Sequence, residues 1–117
     1  MLTDGAIDAR IYVRPGATDM RKAINGLAIL VEQELELNPF EHAVFLFCNR
    51  QKRILKALYW DKNGFWLFQK RLEKHRFPWP ERREAVVREI TPERLRMLLD
   101  GIDFWNAHTR LAYERVS

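Results

Sequence analysis

Cysteine is nearly missing from this chain: Cys48 is the only one in 117 residues. No disulfide can therefore form within it, and the position of Cys48 in the most apolar segment marks a small buried hydrophobe rather than a reactive thiol. Histidine is as sparse. His42, His75 and His108 stand 33 residues apart, with no i, i+4 pair and no cysteine near enough for a zinc pattern, so no metal site or other cofactor is expected. A glycine-rich phosphate loop, a G-x-S-x-G elbow and an H-E-x-x-H helix are all absent. The acids have local explanations: Asp19 at a helix start, Asp61 in a turn, Glu93 in a cap and Asp100 at a helix end. The chain accordingly reads as a non-enzyme. No apolar run is long enough to span a bilayer, and the N-terminal MLTDGAIDAR has neither the cationic start nor the apolar middle of a signal peptide. A cytoplasmic protein without membrane contact is the expectation. No low-complexity stretch or repeat is visible, so residues 1–117 form a single domain, with 1–8 and 104–117 peripheral or flexible.

What the chain does have is aromatic surface and positive charge, concentrated between Ala43 and Pro80. Ala43 to Cys48, AVFLFC, is an unbroken apolar run of strand length, suited to a strand buried on both faces. Arg53 to Trp60 and Phe65 to Leu72 are further strands, joined by Asp61-Lys62-Asn63-Gly64, where Asn-Gly supplies the positive φ angles of a tight hairpin. Three strands with short turns make an antiparallel meander. Ala9 to Arg14 alternates as a first strand and Ala85 to Ile90 as a short edge strand.

Two helices complete the pattern. Thr18 is the expected N-cap of a main helix starting at Asp19 and closing near Leu37. Met20, Ala23, Ile24, Leu27, Leu30, Val31 and Leu35 form its core stripe, and Gly26 permits close contact with the sheet. Thr91-Pro92-Glu93 opens a second helix with Leu95, Leu98, Leu99 and Ile102 buried, stopped by Asp100-Gly101. The fold class is therefore α+β: an antiparallel sheet of four to five strands around the meander, packed against one long and one short helix. The prolines of Arg76-Phe77-Pro78-Trp79-Pro80 lock an extended segment that covers the core or presents Phe77 and Trp79 to a partner.

From Arg50 to Arg76 there are nine Lys or Arg against two acids, a local balance of +7 in a chain of net charge +4. The positive field is a patch, and the sequence pI near 9.5 favours acidic partners. Clustered cations release counterions from a polyphosphate, and neighbouring aromatics can stack on bases. Arg50, Lys52, Arg53, Lys56, Lys70, Arg71, Lys74 and Arg76 are the candidate DNA contacts. Arg21 and Lys22, beside the exposed amides of a helix start, are candidates for a phosphate or partner contact, as is Trp79. Capping alone would equally explain Thr18 and Asp19. A structure discriminates by whether these cations collect on one open face.

Several segments in order resemble a known family: Thr18-Asp19-Met20-Arg21-Lys22, Gly26-Leu27-Ala28, Leu58-Tyr59-Trp60-Asp61, Gly64-Phe65, Leu67-Phe68, Lys70-Arg71-Leu72-Glu73, Arg76-Phe77-Pro78-Trp79-Pro80 and Leu98-Leu99-Asp100-Gly101-Ile102-Asp103. The chain resembles, over about residues 9 to 103, the small TnpB or Orf2 accessory protein of the insertion-sequence group numbered sixty-six, which is unrelated to the RNA-guided nuclease of the same name. The resemblance implies a bacterial mobile-element protein, encoded beside a separate transposase and assisting transposition without cutting DNA. It carries over no catalytic or binding residues. The Cys48-Asn49-Arg50-Gln51 turn has fewer arginines than the family pattern. DNA and the transposase are the expected partners; an adaptor that binds the transposase, or a homodimer joined through aromatics near Trp79 or Trp105, is the alternative.

Overall fold

The computed structural model describes residues 8–82 and 85–105. Residues 1–7 and 106–117, which include His108 and most of the segments expected to be peripheral, lie outside the described residues. The element order is β1 (Arg10–Val13), α1 (Ile24–Gln33), β2 (Ala43–Cys48), β3 (Ile54–Asp61), β4 (Gly64–Arg71), β5 (Arg88–Ile90) and α2 (Pro92–Leu99). One five-stranded sheet runs β4-β3-β2-β1-β5. The α+β class holds, and the pairs β2–β3, β3–β4 and β1–β5 are antiparallel. The pair β1–β2 is parallel, with Ile11 beside Val44 and Val13 beside Leu46. A helix between two neighbouring strands requires this, because the crossover returns the chain to the end of the sheet where β1 began.

The sheet has a core on each face. On one side Leu27, Leu30 and Val31 of α1, with Leu35, pack against Tyr12, Ala43, Phe45, Phe47 and Leu58. On the other, Phe77, Trp79, Leu98 and Phe104 cover Ile11, Val13, Val44, Leu46, Leu55, Ala57 and Tyr59. Every residue of β2 is buried, as its unbroken apolar run requires. The proline-rich segment is thus a strap over the core: Phe77 is 1% and Trp79 5% exposed. The Trp79 indole donates to the carbonyls of Arg14 and Gly16 at 2.9 and 3.1 Å. Phe104 and Trp105, at the head of the segment expected to be peripheral, join this layer. Phe104 is buried and the Trp105 indole donates to the Pro78 carbonyl.

Several local expectations are corrected. The main helix begins at Ile24, not Asp19, and its N-cap Ala23 makes no side-chain cap bond. The reason is tertiary: Thr18 N–H is drawn to Cys48 O at 2.8 Å and its hydroxyl accepts from Arg14. The segment before α1 is thereby held to the sheet and cannot coil. With ten residues α1 is close to the eight of α2, so the division into one long and one short helix does not hold. Gly26 faces not the sheet but the Lys22 side chain, whose Cβ would lie 3.2 Å from an added methyl. In the β3–β4 turn the positive φ falls on Lys62 (55°), not on Asn63 or Gly64. Ile102 is half exposed, whereas Leu98 is fully buried. The second helix start is as read: Thr91 accepts from the Arg94 amide, Pro92 occupies the first turn, and Gly101 follows the Asp100 cap with φ 80°.

Candidate nucleic-acid interface

The cations of the meander do not share one face. Side chains directly opposite on paired strands lie on the same side of a sheet, and neighbours along a strand lie on opposite sides. Lys56 pairs with Gln69 and Ile54 with Arg71, on the side of α1, whereas Leu55 pairs with Lys70 on the side of α2. Lys70 and Arg71 therefore diverge. Lys56 is buried at 8% exposure, and its ammonium donates to the carbonyls of Met20 and Lys22 at 2.9 and 3.0 Å. The Lys70 ammonium donates to Leu99 O at 2.8 Å, at the C-terminal end of α2. These two candidates act as internal struts. Trp79 is a core residue whose ring has no open face.

What the fold does bring together is one end of the sheet. The turn from Asn49 to Arg53 joins β2 to β3 there, and two other segments are bonded to it. Phe77 N–H donates to Lys52 O at 2.7 Å and Leu72 N–H to Arg53 O at 2.8 Å, fixing the 72–77 segment beside the turn. On the other flank, Thr18 N–H donates to Cys48 O, fixing the 18–22 loop. Arg21, Lys22, Arg50, Lys52, Arg53, Arg71, Lys74 and Arg76 are thus carried by the turn and by the segments bonded to it, with Asp19, Glu73 and Glu81 as carboxylates on or next to the same segments. Two open clefts flank the turn. One, of about 470 Å³, is lined by Thr18, Asp19, Met20, Arg21, Asn49, Arg50 and Gln51. The other, of about 450 Å³, is lined by Asn49, Gln51, Arg53, Ile54, Arg71, Leu72 and Glu73.

Three of these cations are paired internally. Arg21 holds Asp19 at 2.7 Å, Arg71 meets Glu73 at 2.9 Å and Lys52 meets Glu81 at 3.5 Å. Hydrogen bonds from the Arg21 side chain and amide bring the Asp19 carboxyl down to about 2. Among the described residues, the side chains of Lys22, Arg50, Arg53, Lys74 and Arg76 make no ion pair or hydrogen bond, and all five are exposed. All three carboxylate pairs are at the surface, where such pairs are weak enough for a phosphate to compete.

Asn49, not singled out in the sequence as a site, organises this end. Its carboxamide oxygen accepts from the amides of Arg53 and Ile54 at 2.9 and 3.0 Å, and its amide group donates to Gln51. The turn it closes carries Lys52 at φ 61°. The legible signal is an asparagine at the end of an apolar strand, where its side chain can replace backbone partners in a turn. Among the described residues no group of three His, Cys, Asp or Glu could hold a metal ion, and no helix is long and apolar enough to cross a membrane.

A small mixed sheet with a strap, two short helices and one end rich in exposed cations defines an α+β protein. The chain belongs to the family described as IS66 Orf2 like protein, whose model matches residues 9–109. It is 38% identical over 104 residues to the uncharacterized protein y4hO of Sinorhizobium fredii (strain NBRC 101917 / NGR234), covering 89% of each chain. It is 32% identical over 95 residues to the uncharacterized protein y4jC of the same strain, covering 81% of this chain and 80% of the relative. No solved structure matches the chain.

Proposed function

We propose that this protein is a non-catalytic accessory factor of a bacterial insertion sequence, assisting transposition by holding DNA on the cationic end of its sheet. Family membership supports the insertion-sequence context. The observation that carries the DNA reading is the convergence of three chain segments, which lines two open clefts with Arg21, Arg50, Arg53 and Arg71 against Asp19 and Glu73. Each phosphate neutralised by Lys or Arg releases condensed counterions, so affinity should fall linearly with the logarithm of salt concentration. Among the described residues the cations of this end lie on loops, a turn and a strand end rather than on α1 or α2, so contact with the backbone rather than sequence readout should dominate.

The test is duplex binding across a salt series. Reversal of Arg50, Lys52 and Arg53 to glutamate should weaken binding uniformly over different sequences and flatten the salt dependence. Lys62→Glu, at the far end of β3, serves as control. Unchanged affinity in a folded triple variant overturns the reading. Divalent-cation-dependent DNA cleavage by the pure protein would overturn its non-catalytic part.

A second reading, an adaptor that binds the transposase, is supported by exposed aromatics away from the cationic end. Trp79 and Trp105 are engaged in the strap, but Phe40 is 53% and Trp66 47% exposed. Phe40 packs on Trp60 and Phe65 at centroid distances of 5.0 and 5.5 Å. Capture of purified transposase should then survive nuclease treatment and be lost on Phe40→Ala with Trp66→Ala; loss on nuclease treatment alone would rule this reading out.

A further inference from the structure

The strand β4 closes the sheet on one side, and nothing among the described residues pairs with its outer edge. The direction of its backbone groups follows from one bond. Leu72 N–H donates to Arg53 O, so these directly opposed residues form a hydrogen-bonded pair, and such pairs alternate along an antiparallel ladder. Phe68 and Lys70 then face β3 with their N–H and C=O groups, while Phe65, Leu67, Gln69 and Arg71 aim theirs outward. Natural edge strands are blunted by charge, proline or bulges. The Gly64–Phe68 half of β4 carries none of these, and Trp66 stands half exposed on it.

We infer that the β4 edge pairs antiparallel with β4 of a second copy of this chain. The strand is divided: its first half holds Phe65, Trp66 and Phe68, its second half Lys70 and Arg71. Parallel pairing in register would set cation against cation. Antiparallel pairing brings each half against the other, and the alternation of outward groups restricts which registers can bond. With the two-fold axis at Phe68, Leu67 exchanges bonds with the partner's Gln69, Trp66 lies opposite the partner's Lys70, and Phe65 lies opposite the partner's Arg71. An aromatic ring then lies across from a basic side chain on both faces of the joined sheet, the Lys70 ammonium keeping its bond to Leu99 O while its alkyl stem meets the ring, and each Phe68 meets its own copy. The interface is isologous and small, so it forms a weak dimer. Because the strands oppose, the two cationic ends point in opposite directions. This inference does not depend on DNA binding.

The test is the mass of the full chain by sedimentation equilibrium, from micromolar to submillimolar concentration, without DNA. Twice the monomer mass at the upper end is expected. Gln69→Pro removes an N–H that no bond within the sheet uses, at the cost of a φ fixed by the ring, and should restore the monomer, whereas Gln69→Ala should not. Phe68→Cys, in a non-hydrogen-bonded pair at the axis, should form an intermolecular disulfide several-fold faster than Gln69→Cys. The buried Cys48 does not compete. A monomer at every concentration, mass gained only on adding another protein, or a dimer that neither yields to Gln69→Pro nor cross-links through Phe68→Cys overturns the inference. Should Gln69→Pro fail to fold by circular dichroism, the cross-link comparison decides alone.

Discussion

The Lys56 ammonium donates to the carbonyl oxygen of Lys22, 3.0 Å away, just where the loop after β1 turns into α1. A second bond to Met20 O makes Lys56 the strut between the sheet and the loop that carries Arg21. Neither acceptor is a carboxylate, so the charge is held by backbone dipoles alone. Lys56→Met keeps the buried stem and removes both donors, leaving two partly buried carbonyls to find water. Its expected cost is about 1 kcal/mol or somewhat more, read from urea denaturation, with faster hydrogen exchange at residues 18–22. Duplex affinity should fall while the salt slope stays constant, since the ammonium meets no phosphate. Wild-type exchange in the loop would refute the strut.

Asn49 supports the opposite flank in a comparable way. Asn49→Ala leaves the amides of Arg53 and Ile54 without their side-chain acceptor. A loss of about 1–2 kcal/mol is expected, with amide chemical-shift changes confined to the 49–54 turn. Changes spread across α2 would contradict the local role.

Burial of Cys48 among apolar neighbours pushes its thiol from 9.0 up to about 12. The folded state therefore holds the thiol proton more tightly than the unfolded chain. The associated stability is fully present below pH 9 and is lost as pH rises towards 12, at roughly 1.4 kcal/mol per pH unit. Other groups titrate in this window, so the measurement is the difference between wild type and Cys48→Ala. That difference should be flat up to pH 9 and then shift steadily against the wild type. A difference that stays flat to pH 11 would remove the claim.

The cations of the meander should separate by role. Lys74→Ala and Arg76→Ala are each expected to reduce the salt slope of duplex binding by about 1. Lys70→Ala should leave it unchanged, because that ammonium is bound to the last turn of α2 on the other side of the strand. Equal effects from all three would mean that sheet face does not govern contact.

Local chemistry made much of the fold legible. Ala43 to Cys48 has no polar residue and could only be a strand covered on both faces. The Thr91-Pro92 start of α2 works through a cap bond and a ring geometry that need no distant partner. The strap was legible because Pro78 and Pro80 exclude helix while Phe77 and Trp79 seek cover. Reading failed where a distant residue outbid a local one. Thr18 carries the signature of an N-cap, yet its amide and hydroxyl are taken by Cys48 and Arg14, and the helix starts five residues after the expected Asp19.

The candidate site divides along the same line. The order of residues alone determined that the positive charge is concentrated between Arg50 and Arg76, because counting charges along a chain needs no geometry. Only the tertiary structure decided which cations face outward together. Alternation sends Lys70 and Arg71 to opposite sides, burial consumes Lys56, and Arg21 and Lys22 arrive from a loop nearly thirty residues earlier in the chain. The physical reason is that a strand's neighbours in sequence point apart, whereas hydrogen bonds at the end of a sheet gather segments that the chain keeps far from one another.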